Sequence, residues 1–190
     1  MISVLVIDDH PAMRAGVETV LKTTEDLFPV GAGSDEHELW HLVRRTRPQV
    51  VLLDYHLPGT DGLLLCHRLK NAVLPPAVVI YSAYADSSLA IAAVAAGAEG
   101  ILNKSAPATE LFEAIRSVAS GAKVLPSLTA EAVDEAADKL DEEDRPVLAL
   151  LLDASGLPDV ADAMGIPLDV AAQRVQGVIE RLRVEVPTLG

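Results

Sequence analysis

Aromatic side chains are scarce in this sequence: two phenylalanines, three tyrosines and one tryptophan in 190 residues, 3 % of the total. A core built on stacked rings is excluded. Half of the chain is apolar, so a core can form, and it has to be close-packed from aliphatic side chains and alanine. The single cysteine, Cys66, rules out an intramolecular disulfide. No apolar run approaches the ~20 residues that a membrane-spanning helix needs. The opening Met1-Ile2-Ser3-Val4 has none of the basic residues of a secretory signal. Together these features lead us to expect a soluble cytoplasmic protein with no membrane partner. Positive charge is also short: 15 basic against 28 acidic residues leave a net charge of -13. The deficit is uneven. Residues 1–125 hold 10 basic and 14 acidic side chains, net -4, whereas residues 126–190 hold 5 and 14, net -9. A domain that grips nucleic acid usually shows a basic footprint, and the C-terminal third shows the opposite.

What the chain does contain is alternation. Ile2 to Ile7, Phe28 to Ala32, Val50 to Leu53, Ala77 to Ser82 and Gly100 to Leu102 read as strands. Ala12 to Thr23, Glu36 to Arg47, Gly62 to Asn71, Ser87 to Ala96 and Ala108 to Ser120 carry helical spacing. Five such β/α units imply an α/β domain with a doubly wound five-stranded parallel sheet covered on both faces. Gly97, Gly121 and Pro48 stand where helices should stop. After Gly121 the pattern changes: residues 122–144 read as a linker and an acidic helix, followed by three short helices, two of them joined by a tight turn at Gly165. That is a helix-turn-helix arrangement. The expected division is 1–125 for the α/β domain, 126–139 for a linker and helix, and 140–190 for a small all-α helix-turn-helix-like domain.

In an open parallel sheet, chemistry gathers at the carboxyl ends of the strands. Strand one ends in Asp8 and Asp9, strand three in Asp54 and strand four in Ser82; Lys104 follows strand five. Three carboxylates brought together repel one another, and one ammonium does not cancel them. A hard divalent cation would, and Mg²⁺ takes one or two carboxylates and keeps positions for water and a phosphate oxygen. Asp54 is then a candidate nucleophile, since a carboxylate can form an aspartyl phosphate. The cation and Lys104 would stabilise charge on the transferring group.

The stretches "VLVIDDHPAMRAGV", "VVLLDYHLPGTDGL", "VVIYSAY" and "GAEGILNKSA" resemble the receiver domain of two-component response regulators, a flavodoxin-like fold, over roughly residues 1–125. The resemblance implies that Asp54 accepts a phosphoryl group from a histidine kinase. It implies that Asp9, Asp54 and the backbone carbonyl of His56 hold Mg²⁺, with Asp8 reaching it directly or through water. Lys104 would bind the phosphoryl group, and Ser82 would hydrogen-bond it and report its arrival. Such a receiver phosphorylates itself but is not an enzyme in its own right. Where the family usually carries a switching aromatic, three residues before the lysine, this chain has Ile101. Tyr84 is a candidate substitute. Where many receivers have a cis proline after the lysine, this chain has Ser105, and the bond is expected to be trans. His10 and His56 are expected to contribute no imidazole ligand, His10 packing beside the loop. Cys66 is expected in the core, and Asp61 and Gly62 to shape a turn. The apolar stretch Leu89 to Ala96 reads either as core or as a face for homodimerisation through the receiver.

The C-terminal residues resemble, in outline, the LuxR-type helix-turn-helix of NarL/FixJ-type regulators and region 4 of sigma factors. In both families the last long helix, here Leu168 to Arg183, enters the major groove. Gln173, Arg174, Arg181 and Arg183 are the candidate DNA contacts. No basic residue stands between Pro167 and Gln173, and Asp141 to Asp144, Asp153, Asp159 and Asp162 would repel a phosphate backbone. Two outputs therefore compete: a phosphorylation-gated, DNA-binding transcriptional regulator, or a phosphorylation-gated module that binds protein through a degenerate helix-turn-helix.

Overall fold

The strand that ends in Asp54, β3 (Val50–Asp54), is buried along its whole length, as a strand must be when it has neighbours on both edges and helices on both faces. In the computed structural model, which describes residues 1–153 and 155–183, β3 lies beside β1 (Ile2–Ile7). Outside β1 runs β2 (Leu27–Gly33), and on the other side of β3 come β6 (Ala77–Ser82) and then β7 (Gly100–Asn103). Every pairing in the order β2-β1-β3-β6-β7 is parallel. Helices α1 (Pro11–Leu21), α2 (Glu36–Thr46), α3 (Gly62–Lys70) and α4 (Ser87–Ala95) make the crossovers, and α5 (Ala108–Ala119) follows the last strand. The doubly wound sheet expected from the sequence is present, with element ends at the expected residue or displaced by at most two.

Strand periodicity sorts the core. Val4, Val6, Val50, Leu52 and Val79 pack with Val17, Ile115 and Val118 of α1 and α5. Leu5, Ile7, Val51, Leu53 and Ile80 face the α2–α4 side. Helix starts are fixed by carboxylates: the side chains of Asp35, Asp61 and Asp86 accept from the backbone N–H of Glu38, Leu63 and Leu89. Gly97 and Gly121 sit at φ 87° and 88°, left-handed positions that end α4 and α5.

Two features escaped the sequence pattern. One is a two-residue antiparallel ladder after β3, β4 (His56–Leu57) against β5 (Thr60–Asp61). The other is the linker, which lies along the edge of β7: Val124 N–H donates to the Glu99 carbonyl at 2.7 Å, and Ile101 N–H donates to the Val124 carbonyl at 3.0 Å.

The C-terminal region is all-helical: α6 (Ala130–Asp138), α7 (Arg145–Leu152), α8 (Leu157–Met164) and α9 (Leu168–Arg181). Gly165, at φ 64°, makes the turn between α8 and α9. The last helix ends at Arg181 with Leu182 as its cap, two residues short of the expected Arg183. Helices α6 and α7 pack on α4, and α9 packs on α3.

Candidate phosphoacceptor and metal site

The polar residues expected at the strand ends do converge. Asp8 and Asp54 are 1 % and 3 % exposed, and Ser82 is 1 % exposed. They are the buried polar residues among the described residues. Lys104 reaches in from the loop after β7. Its Nζ lies 2.7 Å from Asp8 Oδ2 and 2.8 Å from Asp54 Oδ2. Ligand atoms of Asp8, Asp9, His10 and Asp54 all lie within 4.8 Å of one another.

Electrostatics set the site's poise. Burial pushes the Asp54 carboxyl above the ordinary carboxylate range; Lys104 pulls it back and the Asp8 charge raises it further. Burial opposes the charge on Lys104, but its bonds to Asp54 and Asp8 outweigh that and hold the ammonium above its usual value. Asp8 Oδ2 and Asp9 Oδ1 are buried and lie outside the hydrogen-bond network of the site. The first faces the Lys104 ammonium, and the second faces the His10 ring at 2.6 Å. A buried, oxygen-rich, underdonated set of this kind suits a hard cation such as Mg²⁺.

The loop after β3 is held to the site by its backbone. His56 N–H donates to Asp54 Oδ1 at 3.3 Å, and the exposed His56 ring stands edge-on to Tyr55. Gly62 N–H donates to the Tyr55 carbonyl at 3.0 Å. A Cβ on Gly62 would lie 2.2 Å from the Asp54 carbonyl oxygen, so glycine is required for this close approach. Asp61 caps α3 as expected.

Other expectations can be placed. Ser82 Oγ accepts from Tyr84 N–H at 3.1 Å, which ties Tyr84 backbone to the hydroxyl while its side chain stays at the surface. Ile101 is buried. No cis peptide occurs among the described residues, so the bond before Ser105 is trans. Cys66 is fully buried, where desolvation pushes its thiol far up. His10 differs from expectation: its ring is 66 % exposed and turned onto the carboxylates of Asp8 and Asp9 rather than packed beside the loop. The Asp9–His10 adjacency was the available signal, since a ring next in sequence to a rim carboxylate is within its reach.

The C-terminal candidates are not among the groups that meet Lys104, and the three arginines are engaged by acids. Arg174 pairs with Glu143 at 3.0 Å and Asp144 at 3.6 Å, and Arg181 with Asp141 at 2.7 Å and Asp144 at 3.1 Å. Arg183 reaches Asp61, the cap of α3, at 2.8 Å. Gln173 is exposed on α9.

Comparison with known proteins agrees with this geometry. The family model described as "Response regulator receiver domain" matches residues 4–116. The chain is 30 % identical over 191 residues to the probable transcriptional regulatory protein NarL of Mycobacterium tuberculosis, covering 96 % of this chain and 88 % of that one. The solved receiver domain of a NarL response regulator from the same species superposes with TM-score 0.60 at 33 % identity, over 63 % of this chain and 97 % of that one. The response regulator ChrA of a heme-sensing two-component system superposes with TM-score 0.55 at 29 % identity, over 98 % of this chain and 92 % of that one.

Proposed function

Because this chain belongs to the two-component response regulators, of the transcriptional regulatory kind, we propose that Asp54 is its phosphoacceptor and that a histidine kinase is its donor. An Asp54 carboxylate oxygen attacks phosphorus; the O–P bond forms as the P–N bond of the phosphohistidine breaks, and the leaving imidazole nitrogen takes a proton. The observation that carries this reading is the burial of Asp54 against Lys104, with Asp8 and Asp9 beside it. Asp8, Asp9, Asp54 and the His56 carbonyl would hold Mg²⁺, which supplies charge neutralisation for the phosphoryl oxygens. Lys104 steadies the same charge from the other side, and Ser82, at the end of the adjacent strand, is the hydroxyl that would bond a phosphoryl oxygen. Residues 1–125 carry this chemistry, 126–139 link it, and 140–190 form the output.

The test is labelling by acetyl phosphate with Mg²⁺, read by intact mass. Asp54→Ala abolishes the label; retention at the normal rate would show that another residue accepts phosphorus.

For the output, relatives of this kind favour DNA binding through α9, with Gln173, Arg174, Arg181 and Arg183 as the contacts. A specific observation favours the second reading, a protein-binding output. All three arginines are paired with carboxylates in this chain, and cations held by their own acids are not free to release counterions from DNA. A gel shift at low salt, with and without beryllofluoride as a mimic of the aspartyl phosphate, separates the two. DNA binding requires a shifted band under at least one condition, and its absence under both leaves the protein-binding output.

A further inference from the structure

Helix α4 carries no polar face. All seven residues from Leu89 to Ala95 are buried, and no charged side chain occurs between Ser87 and Ala96. A helix that is apolar on every side is stable only when it is covered on every side. The sheet covers one side of α4, and α6 and α7 cover another. As a result Leu65 and Ile91 of the α/β domain lie in the same continuous apolar cluster as Leu148, Leu151 and Val175 of the C-terminal helices. Interfaces that open and close within a chain are comparatively polar, whereas the α4 side of this one is apolar throughout. Two attachments reinforce it at separate points: Val124 is hydrogen-bonded into the edge of β7, and Arg183 is ion-paired to Asp61, the cap of α3.

We infer that the C-terminal helices are seated permanently on the α4 face, so that receiver and output form one cooperative unit that phosphorylation does not separate. The α4 face is then occupied by the chain's own α6 and α7 and is closed to a second copy. The inference rests on packing and stands whether or not Asp54 is the acceptor.

Trp40 is the single tryptophan of the chain. It sits on α2, half-buried, outside both α4 and the C-terminal helices that cover it. In the full-length protein, urea unfolding followed by Trp40 fluorescence and by helical circular dichroism gives one coincident transition. Leu151→Ala, at the seam beside Val94 and Ala96, lowers both midpoints together. Two separate transitions, or a variant whose Trp40 midpoint stays in place, overturn the inference. Wild-type protein gives an independent reading if the variant fails to fold. Amides of α4 keep the same hydrogen-exchange protection before and after acetyl-phosphate labelling verified by mass, and loss of that protection on labelling overturns the inference.

Discussion

A methyl group at position 62 would collide with three backbone atoms: the Asp54 carbonyl oxygen at 2.2 Å, Tyr55 Cα at 2.9 Å and the Tyr55 carbonyl oxygen at 3.0 Å. None of these is the end of a flexible side chain, so the main chain itself would have to move. Gly62→Ala is expected to cost about 1–3 kcal/mol, the usual range for overpacking, measured by urea denaturation. It is also expected to slow acetyl-phosphate labelling, because the displaced atoms carry Asp54. At this scale the site was legible: Asp8, Asp9, Asp54, Ser82 and Lys104 stand at or just beyond strand ends, and a parallel sheet brings such ends to one rim. The demand on Gly62 was not legible in this detail. A glycine before a helix reads as a turn residue, and only the return of the chain past Asp54 shows what it must avoid.

At the scale of elements, α3 joins the site to the C-terminal helices. Its N-cap, Asp61, meets Arg183, and its His67 lines a cleft with Val94, Ser155 and Leu157. Burial lowers the affinity of His67 for a proton below that of an exposed imidazole. The unfolded chain therefore protonates this residue first as pH falls, below about 6.5, and folding loses stability through that window. Urea midpoints are expected to fall between about pH 7.5 and about pH 5.5, and His67→Gln is expected to flatten that slope. An unchanged slope would assign the loss to other groups. Glycines and a proline marked helix ends in the sequence, whereas the Asp35 and Asp86 caps showed only in the structure. The β4–β5 ladder did not show, because two-residue strands are too short for any period to register. The strand pairing of Val124 did not show either, since an edge strand is defined by its neighbour.

For the molecule as a whole, the net charge of -13 means that self-repulsion opposes folding at low ionic strength. Exposed attractive pairs such as Arg116–Asp26 and Arg181–Asp141 are weakened by the same salt that screens the repulsion. With nearly twice as many acids as bases, the repulsion dominates. Raising salt from a low starting level is expected to raise the thermal midpoint by about 2–4 °C, the shift that roughly 1 kcal/mol produces in a chain of this size. A fall would show that the internal pairs outweigh the net charge.

The strand and helix periods, the residues at the strand ends and the charge of the two halves were determined by the sequence alone, because each depends on neighbours within a few positions or on a simple sum. Whether Leu89 to Ala96 would face a second copy or lie within a core was decided by tertiary structure, and so was the fate of Arg174, Arg181 and Arg183. An apolar helix specifies only that something must cover it, and an arginine specifies only that it needs an anion. Which surface and which carboxylate arrive there depends on how segments distant in the chain come together.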